Sequence, residues 1–344
     1  MVATTMSMLL EQEQDAKSQT HHDPQPADGL STDLNRADAN EAGGCTLEQI
    51  EKSAIAKNFS NAAYRYDQNA WLQQKIAQSL FNWGKITHAL ASNKKDTRFS
   101  ILDMGCGTAY LARLFESLAA QHTSVKQHNF RTSDIHWTNL DLSLDMLFQA
   151  RLGQAQANVN GLDCLTSLSY IRADAECLPL KNNSHNLIVS SMALQWCSAP
   201  KRIISEIKRV MSSGGRALLA IMVAPSFSAL ETVTQSIGLP SRVNHFASHG
   251  DWQNILDASG LEYRASLKSF DSAHETALSM LKSLKGVGAN TRLRDSVVQN
   301  AVQSAPQAAI SKQELNAIET HMRSSQDGLL HLNYEILFVD IKAA

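Results

Sequence analysis

An open α/β fold, a mostly parallel sheet with helices on both faces, is what this sequence predicts, and three observations predict it. Short apolar runs alternate with helix-period segments between residues 98 and 223. Several of the turns between them are short, as strands joined by crossover helices require. The first apolar run ends in Asp103-Met104-Gly105-Cys106-Gly107, so a strand meets a glycine turn and then the apolar helix that starts near Tyr110.

The elements follow in order. Residues 1–45 are rich in Gln, Asp, Asn, Ser, Thr and Ala and lack apolar periodicity, so they read as a disordered acidic extension. Residues 46–93 read as a helical N-terminal cover. Thr46 suits a helix cap, with Glu48, Gln49 and Glu51 in the first turn, where acids complement the helix dipole. Trp71, Leu72, Ile76, Leu80 and Trp83 then recur at helical spacing. The α/β core spans 94–224, with strands expected at 98–103, 136–141, 168–173, 186–191 and 216–223. Helices are expected at 109–120, 144–158 and 199–211, the last closed by Gly214-Gly215. Residues 225–328 read as a lid and recognition region: helices and loops to 260, a strand near 261–270, helices at 273–285 and 311–323, and a polar loop at 286–310. Residues 329–344 form an apolar closing strand.

A chain of 344 residues has ample material for a core. Residues 1–51 hold ten acids against Lys17 and Arg36, a net −8, and the remainder holds 29 basic and 23 acidic residues, a net +6. A basic body under an acidic tail fits an acidic partner. The five cysteines are odd in number, scattered, and form no C-x-x-C pair. That argues against a disulfide framework or a zinc site and for a reducing, cytoplasmic setting. No metal is expected. The N-terminus lacks the basic-then-apolar pattern of a secretory signal, and no apolar run is long enough to span a bilayer. Neither a membrane nor a nucleic acid is expected as partner.

The chemistry lies at the strand ends, where ligands of open α/β sheets bind. Asp103 stands just before the first glycine. A phosphate-binding turn would avoid a carboxylate there, because it offers N–H groups and a helix dipole to an anion. A dinucleotide turn would also need a third glycine where Tyr110 stands, which argues against a dehydrogenase. A carboxylate suits a cation or a hydroxyl-rich ligand, and S-adenosylmethionine is both. Asp141, at the second strand end before Leu142 and Ser143, could accept hydrogen bonds from both ribose hydroxyls. Asp174, followed by Ala175, could receive the adenine amino group, and Ser190 ends the fourth strand. Cys106 reads as a small residue fitted beneath the ligand.

The set Asp103-x-Gly105-x-Gly107, Asp141-Leu-Ser-x-x-Met146-Leu and Asp174-Ala-Glu-x-Leu-Pro resembles the class I S-adenosylmethionine-dependent methyltransferases. Ser191-Met-Ala-Leu-Gln-Trp-Cys197, Phe59-Ser-Asn-Ala-Ala-Tyr-Arg-Tyr66 and Leu281-Lys-Ser-Leu-Lys-Gly-Val-Gly-Ala289 are similar to segments of a narrower family, the malonyl-acyl-carrier-protein O-methyltransferases of biotin synthesis. The resemblance covers about residues 52–340. It implies a Rossmann-like, seven-stranded methyltransferase fold and methyl transfer from S-adenosylmethionine to the free carboxylate of a malonyl thioester on acyl-carrier protein. A methyltransferase of the same fold acting on a quinone precursor or a small carboxylic acid is the alternative, and a non-catalytic binder a third. The chain departs from the family at Thr108 and Ala109, where Gly-Cys-Gly-Pro-Gly is usual, and at Asn244-His245-Phe246, where Asn-Arg-Phe is usual.

A carboxylate acceptor is already ionised at neutral pH, so no general base is required. The resemblance makes Tyr66 the candidate orienting residue. Trp196 is expected to wall the acceptor pocket, Arg242 and His245 to recognise a carboxylate, and Lys282 and Lys285 to face an acidic carrier protein.

Overall fold

The computed structural model describes residues 47–86, 98–123, 135–159, 167–239, 243–287 and 310–343. The expected extension at 1–45, Arg242 and most of the expected 286–310 loop lie outside the described residues.

Five strands run parallel: β1 (Phe99–Met104), β2 (Ile135–Asp141), β3 (Ser167–Arg172), β4 (His185–Ser191) and β5 (Met211–Val223). β6 (Glu262–His274) and β7 (Leu330–Lys342) complete the sheet, in the order β3-β2-β1-β4-β5-β7-β6. Only β7 is reversed, being antiparallel to both β5 and β6. This is the Rossmann-like, mostly parallel seven-stranded sheet expected.

Two layers of core lie on the two faces, because successive strand residues point to opposite sides. Ile101, Leu218 and Phe338 are buried on one face, and Leu102, Leu219 and Val339 on the other. Nearly continuous apolar runs are what a sheet covered on both faces demands. The first face is covered by α2 (Trp71–Gly84) and α3 (Tyr110–Thr123), through Ile76, Leu80 and Phe115. The second is covered by α5 (Pro200–Val210), which buries Ile203, Ile204, Ile207 and Val210 along one stripe and leaves its charged face outside. Ahead of α2 stands α1 (Leu47–Ala62), joined to it by two short helical turns, Ala63–Arg65 and Tyr66–Asn69. α4 (Leu144–Val159) links β2 to β3.

Beyond β5 the chain forms α6 (Ser228–Ser236), α7 (His249–Ser259), α8 (Ala277–Gly286) and α9 (Lys312–Met322). Ser248, Thr276 and Ser311 cap α7, α8 and α9, each accepting a hydrogen bond from the backbone N–H three residues on. α8 starts later than the expected 273, because β6 stays paired with β7 as far as His274↔Leu330 and Thr276 then caps the helix. The Gly214-Gly215 pair does not close α5. That helix ends at Val210, and the glycines lie inside β5, where the pairing with β4 shifts register between His185 and Leu187. Gly214 has φ +66°, and a Cβ on Gly215 would come within 2.6 Å of the Ser212 carbonyl oxygen, so they form a bulge in the strand.

The sheet reverses its strand order at β1. The chain moves outward through β2 and β3, then returns to the other side of β1 as β4. A crevice opens at such a switch point, at the carboxyl ends of the strands. No described helix is long and apolar enough to cross a membrane.

Candidate active site

A cleft occupies that switch point. β1 delivers Asp103 and the turn Gly105–Gly107, β2 delivers Asp141, Leu142 and Ser143, β3 delivers Asp174 and Ala175, and β4 delivers Ser191 and Met192. α1 and the turn after it close the other side with Lys52, Ile55, Phe59, Tyr66 and Asp67.

The glycine turn is shaped by close approach. Gly105 (φ +71°) has no room for a side chain, since a Cβ there would overlap that of Ala193. The N–H groups of Gly105 and Cys106 both donate to the Leu140 carbonyl, 2.7 and 3.0 Å away, which pins the turn to β2. Ala109 takes φ +59°, a conformation that favours glycine, at the place where the resembling family has one. Thr108 has its own use: its hydroxyl donates to Asp67 Oδ1 at 2.5 Å, and Arg113 reaches Asp67 Oδ2 at 2.8 Å. These bonds hold the Tyr66–Asn69 turn down onto the glycine turn. Tyr66 is thereby set beside Gly107, its ring carbon 4.0 Å from where a Cβ of Gly107 would lie.

Two of the carboxylates that line the cleft stand in opposite conditions. Asp141 is tethered, accepting from Gly107 N–H (2.8 Å) and Ser143 N–H (2.8 Å). Burial raises its pKa, against the lowering effect of those backbone bonds. Asp103 is fully buried, and neither of its carboxylate oxygens has a hydrogen-bond partner among the described residues. Burial, and then the Asp141 charge, push its pKa well above the usual carboxylate range. A buried carboxylate without partners is costly unless a ligand supplies them.

The neighbouring groups are held protonated. Burial first, then the charges of Asp141 and Asp103, raise the Cys106 thiol and favour its protonated form. Burial, Asp141 and Asp67 likewise raise the Tyr66 phenol. Its hydroxyl remains an O–H donor across the neutral range.

Several expected residues stand elsewhere. Ser190 is buried and donates to the Met104 carbonyl at 2.7 Å; its neighbour Ser191 lines the cleft. One position along a strand reverses the side chain. His245 is 54% exposed, stands 3.8 Å from Glu231 and does not line the cleft. Phe246 beside it is buried and meets Trp196 edge-on, with ring centroids 6.1 Å apart. Trp196 does line the cleft, between Phe246 and Phe59 of α1 (5.7 Å). Lys282 and Lys285 are exposed on α8, away from the cleft lining. Asp174 lines it, with one oxygen bonded to Lys52 at 2.7 Å. Lys52, Phe59 and Asp67 are site residues that the sequence reading missed. The segment Phe59–Tyr66, which resembles the narrower family, held the signal for Phe59.

The pattern of a methyltransferase domain matches residues 102–219, the stretch that carries all the strand-end acids. The chain therefore contains a methyltransferase domain. It is 32% identical over 249 residues to the malonyl-[acyl-carrier protein] O-methyltransferase of Alcanivorax borkumensis, an alignment covering 71% of this chain and 74% of that protein. To the protein of the same name from Erwinia pyrifoliae it is 30% identical over 295 residues, covering 85% and 94%. To that from Erwinia billingiae it is 29% identical over 294 residues, covering 85% and 98%. This chain belongs to the malonyl-[acyl-carrier protein] O-methyltransferase family.

Proposed function

We propose that this protein transfers the methyl group of S-adenosylmethionine to the free carboxylate of a malonyl thioester on acyl-carrier protein, giving the malonyl methyl ester that primes biotin synthesis. The observation that carries the reading is Asp103, a buried carboxylate without partners that faces a cleft at the switch point of the sheet. S-adenosylmethionine fits that donor set: its ammonium would supply Asp103 with the partners it lacks. Asp141, already oriented by two N–H groups, keeps lone pairs for the ribose hydroxyls. Ala175 and Leu142 offer apolar surface to adenine beside Asp174. The sulfonium supplies an activated methyl group.

The remaining residues act on the acceptor. A malonyl carboxylate oxygen forms the new bond to the methyl carbon while the sulfur–carbon bond breaks and its electron pair stays on sulfur. No proton moves, so no base is needed. Tyr66 keeps its phenolic proton and donates it in a hydrogen bond to the carboxylate, fixing the attacking oxygen. Phe59, Met192 and Trp196 keep the wall apolar, which excludes the water that stabilises the separated charges. Exposed Lys282 and Lys285 suit the acidic surface of a carrier protein.

The test is incubation with methyl-labelled S-adenosylmethionine and a panel of acceptors: malonyl-carrier protein, malonyl-CoA, a quinone precursor and free small carboxylic acids. Label on the malonyl thioesters, released by mild base as a methyl ester would be, is the expected result. Label confined to the quinone precursor or the free acids would overturn the assignment.

A further inference from the structure

One ammonium fastens α1 to the sheet. Lys52 Nζ lies 2.7 Å from Glu48 Oε1, 2.7 Å from Asp174 Oδ2 and 2.9 Å from Glu176 Oε2. An ammonium has three N–H donors, so each is taken by a carboxylate. Two of those carboxylates stand 122 and 124 residues along the chain. Burial alone would lower the pKa of Lys52, but its bonds to Asp174, Glu48 and Glu176 outweigh that and raise it.

The far anchor is firm. The Glu176 side chain is fully buried, and its Oε1 accepts from the N–H groups of Ser198 (2.6 Å) and Ala199 (3.0 Å) at the start of α5. Arg202 reaches both Glu176 and Glu48. Asp174 uses Oδ1 for the N–H of Glu176 at 2.9 Å and Oδ2 for Lys52, and a carboxylate has about four acceptor positions. Lys52 and Asp174 both line the cleft.

We infer that Lys52 is a positioning residue that couples α1 to the adenine end of the cofactor site. It fixes the Asp174 carboxylate in place and, through the same ammonium, holds Ile55 and Phe59 of α1 over the cleft. The inference rests on the cofactor reading above. Without the ammonium, Arg202 would still pair with Glu48 and Glu176 but Asp174 would lose its cation, and repulsion among the three carboxylates would push α1 away from the Asp174–Glu176 turn. Cofactor would then leave faster, with acceptor chemistry affected less, since Lys52 bonds neither Tyr66 nor Asp103.

The experiment uses the full chain as wild type, Lys52→Met and Lys52→Arg. Release of S-adenosylmethionine is followed by stopped-flow displacement, and backbone hydrogen exchange is measured over 47–62. In Lys52→Met, release should quicken by about tenfold, exchange over α1 should rise, and KM for S-adenosylmethionine should rise more than kcat falls. Lys52→Arg, which keeps the charge, should restore most of each. Unchanged release would overturn the inference, and so would a lower melting temperature with unchanged release, which marks a structural role alone. Failure of the wild type to bind S-adenosylmethionine would overturn the cofactor reading and this inference with it. Normal wild-type binding with an indifferent Lys52→Met overturns the inference alone.

Discussion

Among the described residues, the parallel and antiparallel halves of the sheet each bury one aspartate, and they treat it in opposite ways. On β7 in the antiparallel half, Asp340 is 2% exposed and lies between two guanidinium groups: Arg216 at 2.6 and 2.8 Å, and Arg264 at 2.7 Å. Arg216 also donates to the Gly84 carbonyl, and Arg264 stacks 4.2 Å over the Trp83 ring, so this acid ties α2 to the sheet. On β1 in the parallel half, Asp103 is equally buried and has no partner among the described residues. A buried acid that is fully bonded holds the fold together. A buried acid left unbonded beside a cleft is, on the function proposed above, kept for a ligand.

The two substitutions that remove the charge should therefore move stability in opposite directions. Asp340→Asn leaves two arginines facing a neutral group and should cost about 3 kcal/mol, read from denaturant unfolding. Asp103→Asn should instead stabilise the ligand-free protein by roughly 1 kcal/mol. The pH dependence separates them further. Burial acts to raise the Asp340 pKa, but the two arginines outweigh it, and the folded value lies below the unfolded one. Its stabilisation is present above about pH 4 and lost as the pH falls through the folded pKa. The folded pKa of Asp103 lies above its unfolded value. Its cost is absent below about pH 4 and grows as the pH rises toward the folded pKa. Equal losses of stability in both variants would erase the contrast.

Asp141 stands between these extremes, oriented by N–H groups yet open to the cleft. Asp141→Ala should weaken S-adenosylmethionine binding about tenfold to a hundredfold, because hydrogen bonds to charged groups are worth roughly 1.5–3 kcal/mol. Calorimetry on the folded variant checks this, and unchanged affinity would remove Asp141 from the site. Tyr66→Phe should lower turnover by about tenfold or more with little change in cofactor affinity, since its hydroxyl is assigned to the acceptor. Loss of cofactor affinity with turnover intact at saturation would move that hydroxyl to the cofactor side.

The smallest effect is expected on the outer surface. Exposed charges are screened beyond about 8 Å at physiological salt. Reversing the charge of Lys282 and Lys285 together should raise KM for malonyl-carrier protein a few-fold and spare a malonyl thioester on a short neutral carrier. Added salt should mimic the double variant. Identical salt profiles for the two substrates would count against a carrier-protein partner.

The parallel half was the more legible in the sequence, and for a physical reason. Its ligand groups sit at strand ends, so the apolar run, the acid and the turn are contiguous in Ile101–Gly107 and again in Leu140–Ser143. What escaped was long-range or a matter of parity. The clamp of Lys52 on Asp174 and Glu176 joins residues that no local pattern connects. Ser190 and Ser191 differ only in which side of β4 they face, and in the loop at 245–246 it is Phe246, not His245, that is buried. Asp340 lay inside an apolar strand, where its burial makes sense only once Arg216 and Arg264 are brought beside it by pairing with β5 and β6. The glycine pair at 214–215 carried the signature of a helix stop and proved to be a strand bulge, because β5 begins at once after α5.

The contrast rests on one claim, that Asp103 is held without partners so as to receive the ammonium of the cofactor. The most direct measurement is a binding cycle by calorimetry, with S-adenosylhomocysteine and its deaminated analogue, on wild type and Asp103→Asn. The wild type should bind the amino compound about ten to a hundred times more tightly than the deaminated one. Asp103→Asn should bind the two alike. If both proteins discriminate equally between the ligands, Asp103 does not meet the ammonium, and the account of the parallel half is wrong.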